Sequence, residues 1–115
     1  MEMTEAVQAL GALAHGSRLS IFRLLVQAGP EGLAAGSIGE KLELPAATLS
    51  FHLAGLTRAG IADSRQEGRF VIYTANFSNM NRLVGYLTEN CCGGNACEVK
   101  PGEANEKATR TRRRA

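Results

Sequence analysis

The period of the sequence changes at Gly60, and that change limits what the chain can become. Before it, apolar residues recur at steps of three and four. Leu49, Leu53 and Leu56 are the clearest set, and that spacing predicts helix. After it, Phe70, Ile72 and Thr74 alternate with Arg69, Val71 and Tyr73, which is the period of a strand. Glu67-Gly68 lies between two extended runs. Residues 61–77 therefore predict a β-hairpin with a polar tip flanked by Arg65 and Arg69.

The segments around it read as helices. Ala6, Val7, Leu10, Leu13 and Ala14 form one apolar stripe. A second helix begins near Gly16-Ser17, with Ser17 as candidate cap and Leu19, Phe22, Leu25 and Val26 as its stripe; Gly29-Pro30 stops it. A third, at about 34–43, turns Ala35, Ile38 and Leu42 inward. Its Gly36 and Gly39 weaken it by up to ~1 kcal/mol each relative to Ala and would permit close helix packing. Leu44-Pro45 is a turn, and a fourth helix follows over 46–59. A fifth, capped by Ser78 or Asn79, carries Met80, Leu83, Val84 and Leu87 and ends at Gly93-Gly94, just past a cysteine pair. This order predicts a mainly α fold with a small β-hairpin wing, a winged helix-turn-helix whose fourth helix enters the major groove of DNA.

With 115 residues the chain is expected to form one domain, residues 1–97, followed by a disordered basic tail at 98–115. The formal charge of +2 is misleading, because Lys107, Arg110, Arg112, Arg113 and Arg114 supply five of 13 basic residues. Residues 1–106 carry 8 basic and 11 acidic groups, a net of about −3, so any case for nucleic acid rests on local placement. No apolar run reaches the roughly 18 residues of a membrane helix, and MEMTEAVQAL lacks the pattern of a signal peptide. The expected compartment is the cytoplasm, with no membrane partner. Thiols stay reduced there, so Cys91, Cys92 and Cys97 point to ion binding or redox chemistry before a structural disulfide.

With Leu49, Leu53 and Leu56 turned to the core, Ala47, Thr48, Ser50, Phe51, Ala54 and Arg58 lie on or beside the outer face of the fourth helix. Ser and Thr bond bases or phosphates, and alanine contacts the methyl of thymine. Arg65 and Arg69 are placed to reach the DNA backbone or minor groove. His52 sits at the edge of the apolar face, where a structural hydrogen bond to nearby backbone and a base contact are both open. His15 reads as structural.

ALAHGSRLSIFRLL at 12–25, SFHLAGLTRAGI at 50–61 and EGRFVIY at 67–73 resemble the ArsR/SmtB family of bacterial metal-responsive repressors. The resemblance covers about residues 5–92. Gly16 stands where proline is often found, which bears only on the start of the second helix. The resemblance implies a homodimer assembled through the first and last helices, operator binding without ligand, and release on binding a metal. It also points to Ser50 and His52 in the recognition helix and Arg69 in the wing. Apolar stripes at both ends of a small chain give dimerisation a physical warrant as well.

Members of that family place effector sites differently. Residues 33–44 hold no cysteine, and residues 78–92 hold neither Asp nor His, so two of those sites are absent. The cluster Cys91, Cys92, Cys97 resembles the C-terminal tri-cysteine site of some arsenic-responsive members. Soft thiolates select soft ions, and zinc normally takes a fourth ligand that this cluster lacks. Gly93 and Gly94 would let the chain reverse, bringing Cys97 back over the pair. The expected protein is a non-enzymatic repressor of double-stranded operator DNA without a prosthetic group, induced by As(III) or Sb(III). The alternatives are a thiol-redox or cadmium/lead sensor on the same scaffold, or a small thiol reductase.

Overall fold

In the computed structural model, residues 1–94 are described. Five helices run in chain order: α1 Met3–Leu13, α2 Gly16–Ala28, α3 Ala35–Leu42, α4 Ala46–Arg58 and α5 Phe77–Thr88. Three strands complete the fold: β1 Leu33–Ala34, β2 Ala62–Glu67 and β3 Phe70–Ala75. The sheet is antiparallel in the order β1-β3-β2. Among the described residues no helix is long and apolar enough to cross a membrane. Cys97 and the tail beyond residue 97 lie outside the described residues.

The core lies where α2, α3 and α4 meet the sheet. Ile21, Leu25, Ile38, Leu53, Leu56 and Ile61 are fully buried there. Leu49, Leu53 and Leu56 all face inward on α4, as their spacing predicts. Three core alanines of α1, Ala6, Ala9 and Ala12, pack on this core, while Met3, Val7 and Leu10 stay exposed. The expected stripe of α1 is therefore split. Its small side chains let the helix approach its neighbours closely; Met3, Val7 and Leu10 point away, and Leu13 is half-buried against the core. On α2 the buried set is Ile21, Phe22 and Leu25, whereas Leu19 remains 44% exposed.

Several expected boundaries move. Ser17 is not the cap: α2 starts at Gly16, as expected, with His15 at its N-cap two residues before Ser17. Helix α5 is capped by Asn76, whose side chain accepts from the Asn79 N–H at 2.9 Å, and not by Ser78 or Asn79. It ends at Thr88, before the cysteines rather than after them. Asn90 (φ 58°) and Cys92 (φ 59°) take left-handed conformations, so Cys91–Gly94 forms a separate 3-10-like turn.

Strand β1 has only two residues, too few for alternation to register in the sequence. It pairs Leu33 with Tyr73 and Ala34 with Ile72, tying the approach to α3 onto the hairpin. Gly32 makes that pairing possible. It has φ 74°, and a Cβ there would collide with the Tyr73 carbonyl and come within 2.6 Å of Thr74 Cγ2. The hairpin itself turns on Gly68 (φ 63°) and Arg69, with Glu67 opposite Phe70. A positive φ at the first turn residue but not the second matches a type II′ turn, which suits the twist of paired strands. Of the two glycines of α3, only Gly39 is used for close packing; a Cβ there would lie 3.3 Å from Leu49 Cδ2.

Candidate nucleic-acid interface

Helix α4 begins cleanly because Pro45 holds φ −62° at the N-cap and needs no N–H. Its inner face is fixed by the three leucines. Ala47, Thr48, Ser50, Phe51 and Ala54 are exposed on the opposite side, and Phe51 is 61% exposed. The HTH turn and α3 stand beside this face, with a cleft of about 330 Å³ between them lined in part by Gly36, Gly39, Leu49 and Ser50.

His52 is not on that face. It is 6% exposed, because α4 turns it toward α2. There the Arg18 Nε donates to His52 Nδ1 at 3.1 Å. With Nδ1 accepting, the proton of the neutral ring sits on Nε2. The His15 ring lies 4.7 Å away, centroid to centroid. Burial, His15 and Arg18, in that order, hold the His52 pKa below its ordinary value. A direct base contact by His52, one of the two roles open to it from sequence, does not fit this geometry. Its partner is a side chain of α2 rather than backbone.

Arg18 is the residue the sequence did not single out. Its guanidinium crosses α4 where Gly55 leaves room: a Cβ at Gly55 would lie 2.6 Å from Arg18 Cζ. It also stands over the Phe51 ring, 5.3 Å from the centroid, within cation–π range. The only signal available in the sequence was a glycine interrupting an otherwise regular helix.

Arg58 closes α4 at the other end, in a recess with Gln8, Gly11 and Ala12 of α1. It therefore borders α1 rather than the N-terminal half of α4. In the wing, Arg65 is tethered: its Nε pairs with the Glu67 carboxylate and its Nη2 donates to the Glu31 carbonyl at 2.9 Å. Arg69 occupies the turn itself and is exposed. Phe70 beside it is 58% exposed.

The cysteine turn lies at the other end of the molecule in sequence. Cys91 Sγ and Cys92 Sγ are 3.5 Å apart. Among the described residues no group of three or more His, Cys, Asp or Glu side chains is gathered into an ion site, and the third expected ligand, Cys97, lies outside them.

The helix-turn-helix domain family matches residues 13–65, from the end of α1 into β2. The transcriptional activator HlyU of Vibrio cholerae serotype O1 is 33% identical over 91 residues, covering 79% of this chain and 82% of that protein. A solved structure of HlyU superposes with a TM-score of 0.63 over 80% of this chain and 99% of that one. Its reduced form gives 0.59 at 32% identity, over 77% and 90%. An ArsR-like transcriptional regulator from Rhodococcus sp. RHA1 gives 0.63 at 25% identity, over 73% and 76%. A homodimeric winged helix-turn-helix domain from Mycobacterium bovis, 24% identical, shares the fold with a TM-score of 0.61 over 84% and 90%. Those relatives are DNA-binding regulators rather than enzymes, which removes the thiol reductase. With its recognition helix turned outward, its three-stranded wing and this degree of identity, the chain belongs to the ArsR-type family of winged helix-turn-helix transcriptional regulators.

Proposed function

We propose that the chain is a metalloid-responsive repressor, a homodimer that holds operator DNA until As(III) or Sb(III) binds Cys91, Cys92 and Cys97. One observation carries the ion site: Cys91 Sγ and Cys92 Sγ lie 3.5 Å apart in a tight turn outside α5. That spacing lets one small ion touch both sulfurs. Gly93, with φ 67°, continues the reversal of the chain that begins at Cys92. Three soft donors with no imidazole or carboxylate among them suit a soft, three-coordinate ion. Its action is placed in the cytoplasm, where operator DNA is found and thiols stay reduced.

The dimer rests on exposed apolar side chains that would otherwise stay in water. Met3, Val7 and Leu10 are 67%, 59% and 42% exposed on α1, and Leu87 is 58% exposed on α5. The two helices pack together, with Arg82 reaching Glu5 at 3.4 Å. A second copy would bury this surface and set two α4 helices against successive major grooves. Ala47, Thr48, Ser50 and Phe51 of α4 would meet bases or phosphates. Arg65 and Arg69 would meet the backbone.

The ion must bind the DNA-releasing conformation more tightly than the DNA-bound one. A coupling of about 1–3 kcal/mol would lower DNA affinity roughly 5- to 150-fold. The test is DNA affinity with and without arsenite for the wild type and for Cys92→Ser. The wild type is expected to release and the variant to stay bound with unchanged basal affinity. Equal release by arsenite would remove the cysteines from the sensor. Thiol oxidation at the same pair is the second reading, favoured by the proximity of the two sulfurs. Release by peroxide, with no response to arsenite, would select it.

A further inference from the structure

A recognition helix usually reads bases through long polar side chains. Arginine contacts guanine and asparagine or glutamine contacts adenine, each in bidentate fashion. Helix α4 has none of these on its outer face. From Ala46 to Thr57 its exposed positions carry only Ala, Thr, Ser and Phe. His52, the one imidazole in the stretch, is buried. The first charged side chain, Arg58, borders α1. Whatever sequence α4 distinguishes must be distinguished by apolar contact and short hydroxyls.

Phe51 is the large group in that set. It follows Ala47 by four residues and precedes Ala54 by three, so on the helix surface it stands between two methyl groups. No bulky neighbour on α4 holds the backbone away from a groove floor. The ring is also held in place. Arg18 stands over it, 5.3 Å from the centroid, and the His52 ring meets it edge to face at 5.7 Å. An exposed phenylalanine would ordinarily sample several rotamers. Here a guanidinium and an imidazole, themselves bonded to each other, support it from α2 and α4.

In the major groove only thymine offers an apolar group, its C5-methyl, and phenylalanine is one of the side chains that contact it. We propose that Phe51 is the base-reading residue of α4 and that it selects thymine by its methyl group. Arg18 acts as its positioning residue, and Gly55 is the gap through which Arg18 reaches it. This inference rests on the reading of α4 as the DNA-contacting helix.

Removing a buried methyl is worth about a fourfold change in affinity at each such site. The experiment begins with selection of bound duplexes from a random pool, using the full chain. The selected duplex is then prepared with thymine or with deoxyuridine, which lacks only the methyl, one position at a time. At least one position in each half-site is expected to lose about fourfold with deoxyuridine. Phe51→Ser, which leaves no apolar side chain at that position, should bind thymine and deoxyuridine duplexes equally there, while Phe51→Leu, which keeps one, should retain discrimination. Arg18→Ala should weaken the discrimination without abolishing binding. Equal affinity of the wild type for both duplexes at every position would overturn the assignment, as would unchanged discrimination at the same position in Phe51→Ser. Failure to enrich any duplex would instead overturn the role of α4 in DNA binding, and this inference with it.

Discussion

The side-chain amide of Asn79 donates a 2.8 Å hydrogen bond to the carbonyl of Gly60, the residue that ends the recognition helix. Next to it the Asn76 N–H donates to the Ile61 carbonyl, also at 2.8 Å. The start of α5 is thus bonded to the segment that leaves α4. Asn79→Ala should cost about 1–3 kcal/mol by stranding a partly buried carbonyl. The melting temperature would drop about 4–8 °C for each kcal/mol. If α5 carries the inducer signal, arsenite should also release DNA less completely from this variant than from the wild type. A variant that melts lower but responds fully would confine Asn79 to stability.

Acid should weaken the fold through His52. Its folded pKa is lowered by burial, then by His15 and Arg18, so the folded ring prefers to be neutral. Below about 6.5, the ordinary value for histidine, the unfolded chain binds this proton more readily than the folded one. Stability from this group is therefore complete above about pH 6.5 and declines as the pH falls below it. Melting curves between about pH 5 and 8 should show that decline in the wild type, and a shallower one in His52→Gln. Identical slopes would assign the acid sensitivity to other groups.

Leu10→Asp should leave each chain folded and separate the two. Leu10 is 42% exposed and outside the buried core, so the charge meets water in a monomer. In a dimer it would be buried without a partner, at a cost of several kcal/mol. Sedimentation is expected to give a monomer and DNA binding to fall sharply. A variant that remains dimeric would move the interface off this face of α1.

The two wing arginines should differ. Arg69 lies in the turn, whereas Arg65 is already engaged by Glu67 and the Glu31 carbonyl. Arg69→Ala should flatten the slope of log affinity against log salt by about 0.9 for each phosphate it no longer neutralises. Arg65→Ala should change that slope less and loosen the wing instead. Unchanged slopes in both would take the wing off the phosphate backbone.

The helical half of the fold was legible because burial there follows period. Leu49, Leu53 and Leu56 could sit nowhere but inside, and the hairpin announced itself by alternation around Gly68. Other features depend on neighbours that a linear pattern does not contain. Strand β1 is two residues long and exists only because Tyr73 and Ile72 lie opposite. The stripe of α1 mixed two faces, since alanine and valine count alike as apolar, whereas only alanine is small enough for the close approach to the core. The cap fell at Asn76 rather than Ser78 because β3 ends at Ala75 and fixes where α5 can begin. His52 was ambiguous at the boundary of two faces, and its decisive partner, Arg18, lies 34 residues away.

The pairing of β1 with β3 gives the wing an anchor that a free-standing hairpin lacks. Through Leu33 and Ala34 the hairpin is bonded to the chain just before α3, and Arg65 grips the Glu31 carbonyl close by. Wing and recognition unit therefore travel as one plate. Strand β3 also runs directly into α5 through Asn76, so a tilt imposed at the far end of that helix is delivered to the whole plate. On a duplex of fixed pitch such a tilt pulls groove and backbone interactions away together. Dissociation should then proceed half-site by half-site, without a lingering state held by the wing alone.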